Sequence, residues 1–353
     1  MRRPIDTMGS MRISRNGRWT GVAVVCAMIA LAATAQTTTQ PAAPTSTQTT
    51  TQNPAPPSAQ QTPAPPPGEE ALPQTQTLQL FSREVDLFFA VTDKHGNFVT
   101  GLQQQNFGLL DDGRPPERVI RFVQQTNLPL RIGIMIDTSS SIRQRFPFEQ
   151  QAAIDFLLQV MHPVDRAFVE GFDVQTDIEQ DFTNRIDLLD SGISRLRPGG
   201  GTALFDSLYK TCRDQMLTLQ QKADVRKAMI LVSDGDDDYS RATEDDAIKM
   251  CQRAETIVYT ISTNTGPSRD KGDDVLLRIS DATGGRAFFP KRITDVSEGF
   301  LNIEAELRSQ YSLVYVPANF KQDGSFRTIY LQCLDPRYTV RAKKGYFAPR
   351  PPE

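Results

Sequence analysis

The run Arg131-Ile132-Gly133-Ile134-Met135-Ile136 is apolar almost throughout and stops at Asp137. A strand exposed on one face alternates apolar and polar residues. An unbroken run of this kind therefore belongs to a strand covered on both faces, the pattern of parallel sheets. Comparable runs recur at 167–172, 228–232 and 256–261. Residues 148–161, 204–219 and 243–253 carry apolar residues at helical spacing. Strands alternating with helices of this length predict an α/β fold, a doubly wound and mostly parallel sheet with helices on both faces. A short edge strand is expected at 177–182, another strand at 286–289, and a helix at 296–308.

The segments on either side of this domain, which is placed at 128–309, read differently. Within 78–127, strands are expected at 85–91, 107–110 and 118–123, with turns at 93–97 and 111–113. A β unit of about 50 residues is marginal on its own. The closing segment, 310–348, again carries strand patterns, at 311–316, 327–333 and 338–341. The two halves are expected to pair as an accessory β layer, because neither is large enough alone.

Residues 1–35 read as a signal peptide. Arg12, Arg15 and Arg18 precede an apolar stretch at 21–32, and Ala33-Thr34-Ala35 supplies a small-x-small cleavage pattern before Gln36. The apolar stretch is shorter than the roughly 20 residues of a spanning helix. An uncleaved N-terminal anchor is the alternative; no other stretch has the length and apolarity to span. Residues 36–77 are nearly all Thr, Gln, Pro, Ala and Ser, a composition too poor in apolar groups to offset chain entropy, and are expected to be a disordered linker. The expected location is outside the cytoplasm: periplasmic, cell-surface or secreted. A net charge of −3 argues against a nucleic-acid footprint.

Export makes disulfides permissible, and signal cleavage leaves Cys212, Cys251 and Cys333. Cys212 and Cys251 fall on the helices flanking the strand that leads to Asp234. In a sheet of order 3-2-1-4-5-6 those helices share a face, so a disulfide is within reach. The alternative is two buried small apolar side chains. Cys333 alternates with Leu331 and reads as a packing residue.

Three loops carry the chemistry. Asp137-Thr138-Ser139-Ser140-Ser141 follows the first buried strand, Gly199-Gly200-Gly201-Thr202 precedes a helix, and Ser233-Asp234-Gly235 follows another buried strand. In open α/β sheets ligands bind at the carboxyl ends of the strands, near the point where strand order reverses. Carboxylates and hydroxyls are hard oxygen donors of the kind Mg²⁺ prefers. Together the three segments resemble the metal-ion-dependent adhesion site of von Willebrand factor type A domains. The resemblance implies that Ser139, Ser141 and Thr202 ligate Mg²⁺ or Mn²⁺ through their hydroxyls, with Asp137 and Asp234 binding directly or through water. It leaves one position for an acidic side chain, or another oxygen, of a partner protein. Over residues 80–348, including the closing Arg341-Ala342-Lys343-Lys344-Gly345-Tyr346, the chain also resembles the VWFA-related acidobacterial domain family. These resemblances imply a metal-dependent protein-binding or adhesion module, or alternatively an envelope scaffold whose metal only braces the loops. They also nominate the helix at 296–308 as a moving element.

Other candidates read more plainly. Asp206 either faces the site or is a carboxylate favoured near a helix N-terminus, the latter preferred. Asp236-Asp237-Asp238 reads as a solvated acidic loop, with a second cation site as the alternative, and Asp111-Asp112-Gly113 as turn chemistry. No G-x-S-x-G context is present, and the Gly-rich loop lacks the Lys of a phosphate-binding loop. The chain is therefore not expected to be an enzyme.

Overall fold

The structure is a computed structural model that describes residues 83–350 apart from 125–127, 220–224, 265 and 267. The expected signal at 1–35 and linker at 36–77 lie outside the described residues.

Three strands come first, β1 (Val85–Thr92), β2 (Phe107–Asp111) and β3 (Arg118–Gln124). The chain then alternates through β4 (Leu130–Asp137), α1 (Phe146–Val160), β5 (Arg166–Phe172), β6 (Thr176–Thr183), α2 (Ile186–Arg195) and α3 (Leu204–Thr211). It continues through β7 (Arg226–Ser233), α4 (Glu244–Arg253), β8 (Thr256–Ser262), α5 (Lys271–Thr283), β9 (Ala287–Phe288) and α6 (Val296–Ser309). The closing strands are β10 (Tyr311–Val316), β11 (Phe326–Cys333), β12 (Thr339–Ala342) and β13 (Gly345–Phe347).

The six-stranded sheet has the order β6-β5-β4-β7-β8-β9. Counted from β4, this is the expected 3-2-1-4-5-6. Strands β5, β4, β7, β8 and β9 run parallel, and β6 is an antiparallel edge. Every residue of β7 is buried, which is why its run shows no alternation. One face packs Ile132, Ile134 and Ile136 against α1, α2 and α6, through residues such as Phe156, Ile193, Phe300 and Leu307. The other packs Met135, Phe168, Met229 and Leu231 against α3, α4 and α5. The fold is thus the doubly wound α/β arrangement.

The flanking segments meet each other. One antiparallel sheet has the order β12-β1-β10-β3 and a smaller one β13-β11-β2, so each mixes strands from before and after the central domain. Their shared core gathers Phe89, Phe107, Phe122 and Tyr311, with ring centroids 5.1–6.3 Å apart. Strand β10 follows α6 directly and occupies an interior position, which ties the layer to the last helix.

Three features depart from the pattern read in the sequence. Helices α2 and α5 were not expected. Helix α5 has a capping box between Asp270 and Asp273 and a left-handed Gly284 at its end, so its limits are set by caps more than by its short apolar stripe. The helix expected over 204–219 is α-helical only to Thr211, and residues Cys212–Leu217 are π-helical. That change begins at a cross-link: Cys212 and Cys251 form a disulfide between this segment and α4, with Cα atoms 5.0 Å apart. Cys333 is a free thiol, partly buried.

The turn at 111–114 forms as expected, with Asp112 and Gly113 both at positive φ (47° and 73°). Such geometry at both central residues suits a tight hairpin. Asp111, however, does more than start a turn. It is 2% exposed and accepts hydrogen bonds from Arg327 Nε (2.9 Å), Tyr315 Oη (2.8 Å) and Tyr346 Oη (2.9 Å). This one carboxylate joins β2, β10, β11 and the strand containing Tyr346.

Candidate metal site

The parallel strands deliver Asp137 and Asp234 to the same edge of the sheet, because β4 and β7 are adjacent and in register from Leu130↔Arg226 to Ile136↔Val232. Strand order reverses at β4, so the pair stands at the switch point where such sheets bind ligands. Asp137 is fully buried. Its Oδ1 accepts from the Ser139 backbone N–H (2.8 Å) and its Oδ2 from Ser233 Oγ (2.7 Å). Ser139 Oγ lies 2.9 Å from Ser141 Oγ, which donates to Asp234 Oδ2 at 2.8 Å. Four of the five residues singled out in the sequence are thereby linked in one hydrogen-bonded set.

Thr202 arrives on a separate loop that is fastened to the first. The backbone N–H and Oγ of Ser140 both donate to the Gly200 carbonyl (3.2 and 2.7 Å), and the Gly199 N–H donates to the Thr138 carbonyl (2.6 Å). Thr202 is buried, and its carbonyl accepts from the N–H groups of Asp238 and Tyr239 (2.9 and 3.0 Å). Its hydroxyl makes no hydrogen bond to the other four among the described residues. All three loops thus meet at one edge.

Asp234 is held from behind. Gly235 adopts φ +83°, and a Cβ there would stand 2.2 Å from the Gly272 carbonyl oxygen at the start of α5. Only a glycine fits that approach. Asn264 Nδ2 adds a hydrogen bond to the Asp234 carbonyl at 3.1 Å.

The neighbouring acids divide into braces and exposed charge. Asp206 accepts from the N–H groups of Arg241 and Ala242 (3.1 and 2.7 Å) and so pins the loop after Asp234 rather than facing the site. Asp237 accepts from the Phe205 N–H (3.2 Å) and from Ser240 Oγ (2.6 Å), capping the N-terminus of α3. Asp236 and Asp238 are exposed, as a solvated loop would be.

Sequence reading gave no role to two residues of the site. Ser233 is buried and fixes Asp137. Glu149 in the first turn of α1 is fully buried, and neither of its carboxylate oxygens has a hydrogen-bond partner. Its signal was available, since it stands at helical spacing with Phe146, Ala152 and Ala153 on the apolar face. Burial, with the nearby charges of Asp137 and Asp234, raises its pKa to about 8 against the opposing charge of Arg145. Burial likewise lifts Asp137 to about 6.

Among the described residues no three or more His, Cys, Asp or Glu side chains form a metal-holding group. The candidate centre has a different make-up, two carboxylates and three hydroxyls, which are all hard oxygen donors. Burial holds the Glu149 and Asp137 carboxyls toward their protonated forms, and a divalent cation among these oxygens would favour the ionised forms. The donor set fits a hard divalent ion.

No family model matches the chain, and no curated protein matches its sequence. Solved structures do resemble it. A von Willebrand factor type A protein from Catenulispora acidiphila shares 14% identity over 70% of this chain and 74% of its own, with a TM-score of 0.45. A mussel byssus protein, proximal thread matrix protein 1, with a zinc-occupied MIDAS motif, shares 15% identity over 56% of this chain and 50% of its own (TM-score 0.45). A mutant PilB minor pilin of Streptococcus sanguinis shares 14% identity over 52% of this chain (TM-score 0.42), and the chain spans only 62% of that protein. These likenesses concern the fold alone.

Proposed function

We propose that this protein is an exported, metal-dependent protein-binding module. In this reading Asp137, Ser139, Ser141, Thr202 and Asp234 hold Mg²⁺ or Mn²⁺ and leave a position for an acidic side chain of a partner protein. Bound there, the ion supplies a Lewis-acidic positive centre that a carboxylate oxygen completes. The observation that carries the reading is the hydrogen-bonded set Asp137–Ser139–Ser141–Asp234 at the switch point, with the Thr202 loop fastened across it. The chain's own part is to hold these oxygens in place: Ser233, Gly235 and Asn264 fix the carboxylates, and Ser140 fixes the third loop. We assign no catalytic role to these residues.

The export part rests on the signal pattern at 1–35. Among the described residues no helix is long and apolar enough to cross a membrane. N-terminal sequencing of the secreted chain is expected to begin at Gln36.

The test of metal binding is calorimetric titration of the purified protein with Mg²⁺ and with Mn²⁺, beside Asp137→Ala. Saturable one-site binding that the substitution removes is the expected result. A folded wild-type protein that binds neither ion refutes the reading. Partner capture that survives in Asp137→Ala, with only stability reduced, would favour a scaffold whose metal braces the loops.

A further inference from the structure

A groove of 420 Å³ lies beside the candidate metal site, along the carboxyl ends of β8 and β9. Its lining includes Asn264, Ser268, Arg269, Arg286, Phe289 and Lys291. Asn264 connects it to the site, since its Nδ2 donates to the Asp234 carbonyl. A second groove of 300 Å³ shares Arg286, Phe289 and Lys291 and extends it over the first turns of α6.

The charge of the first groove is one-sided. Arg269, Arg286 and Lys291 have no carboxylate within ion-pair distance among the described residues. The one acid in its lining, Asp273, is 4% exposed. Its Oδ1 accepts from Ser262 Oγ at 2.5 Å and from Asn264 Nδ2 at 3.4 Å. In the adjoining groove Asp295 pairs with Arg292, and Glu298 lies in the first turn of α6. Aromatic rings hold two of the cations, and Arg286 also feels the charge of the buried Glu306, which Arg341 pairs. Arg269 lies over Phe289 at 4.1 Å from the ring centre, and Arg286 over Phe288 at 4.9 Å. A ring face fixes a guanidinium in place without neutralising it. The result is a preset row of positive charge leading away from the Asp137–Asp234 edge.

We propose that this groove receives an extended acidic segment of the partner protein. One carboxylate of the segment completes the metal site, and neighbouring Asp or Glu side chains sit on Arg269, Arg286 and Lys291. The metal-completing part of this inference rests on the function proposed above, while the groove's own selectivity does not. A nucleic acid fits less well, because three cations on a chain of net charge −3 make a small footprint for a phosphate backbone.

The test uses the full chain and a fluorescently labelled hexaglutamate peptide, followed by anisotropy with Mg²⁺ and with EDTA, and a hexaglutamine control. The variants are Arg269→Glu/Lys291→Glu, at two exposed positions, and Asp137→Ala. Reversing two exposed charges is expected to weaken hexaglutamate binding about tenfold in both Mg²⁺ and EDTA. Mg²⁺ titration of the same variant is expected to match wild type, which also shows that it folds. Unchanged affinity in the charge-reversed variant, equal binding of hexaglutamine, or no binding of hexaglutamate by wild type each overturns the groove. Loss of the Mg²⁺-dependent increment in Asp137→Ala supports the metal reading separately. Absence of any such increment in wild type, with the charge-reversal effect intact, overturns completion of the metal site by this segment and leaves the groove standing.

Discussion

Removing the Asp111 carboxylate is expected to destabilise the protein by about 4 kcal/mol. Asp111 and Arg327 are 2% and 3% exposed, so the ion pair lies out of water. Breaking such a pair from one side strands a buried charge, which costs about 3–5 kcal/mol. Asp111→Ala also leaves the hydroxyls of Tyr315 and Tyr346 without their acceptor, each worth about 1 kcal/mol. Two contacts soften the loss: Arg327 Nη1 stands 3.3 Å from Asp112 and also donates to the Asn319 carbonyl at 2.9 Å. The assay is urea unfolding of Asp111→Ala, Arg327→Met and the double variant Asp111→Leu/Arg327→Met. If the pair matters through its burial, the double variant recovers most of the stability lost in Asp111→Ala, since an apolar pair leaves no orphaned charge. A loss below about 1 kcal/mol for Asp111→Ala, the size of a surface pair, would refute the argument.

Three further outcomes follow from the same geometry. The Cys212–Cys251 disulfide closes a loop of 39 residues, so Cys212→Ser/Cys251→Ser is expected to lose about 4 kcal/mol in the chain-entropy model. Denaturant unfolding with and without reductant reads this loss, and equal midpoints would contradict it. Gly235→Ala forces a Cβ to 2.2 Å from the Gly272 carbonyl at φ +83°. It should destabilise the fold by at least about 1 kcal/mol and weaken Mg²⁺ binding by shifting Asp234; calorimetry giving wild-type affinity would show that the loop yields freely. Glu170 is fully buried and burial raises its pKa from 4.5 to about 8, so the folded state holds this proton more tightly than the unfolded one. Its contribution is complete below about pH 4.5 and is lost as pH rises through about 8, at about 1.4 kcal/mol per unit. Glu170→Gln is expected to flatten that fall in a pH series of unfolding midpoints, and an unchanged slope would count against it.

The sequence showed most clearly what is buried on both sides. Strands β4 and β7 appeared as nearly unbroken apolar runs, and β5 and β8 as runs broken only by Glu170 and by threonines, because they are buried on both faces, and the ends at Asp137 and Ser233-Asp234 marked the functional edge. Helix α5 was hidden because only Leu276 and Ile279 are its fully buried apolar residues, and its limits are polar caps. The π-helical stretch begins at the cross-linked Cys212, and local periodicity encodes neither feature. Asp111 shows the same gap: its place before Asp112-Gly113 marks a turn, while its burial is fixed by Tyr315, Arg327 and Tyr346, more than two hundred residues away.

At the candidate site, chemistry was legible and electrostatics was not. Oxygen donors and glycines announce themselves by type and order, so Asp137, Ser139, Ser141, Thr202 and Asp234 could be picked out singly. Their joint cost becomes visible only when β4, β7 and α1 bring Asp137, Asp234 and Glu149 together out of water. A protein selected for stability alone would replace Glu149 by an apolar residue, since a buried acid without a partner opposes folding. Retaining it near Asp137, Asp234 and Arg145 fits a site whose balance of charge a bound cation completes. The same logic separates Asp137 from Asp111. Asp111 has its positive partner built into the chain as Arg327 and closes a structural layer, whereas Asp137, among the described residues, is held by Ser139 and Ser233 and leaves its charge to be answered from outside.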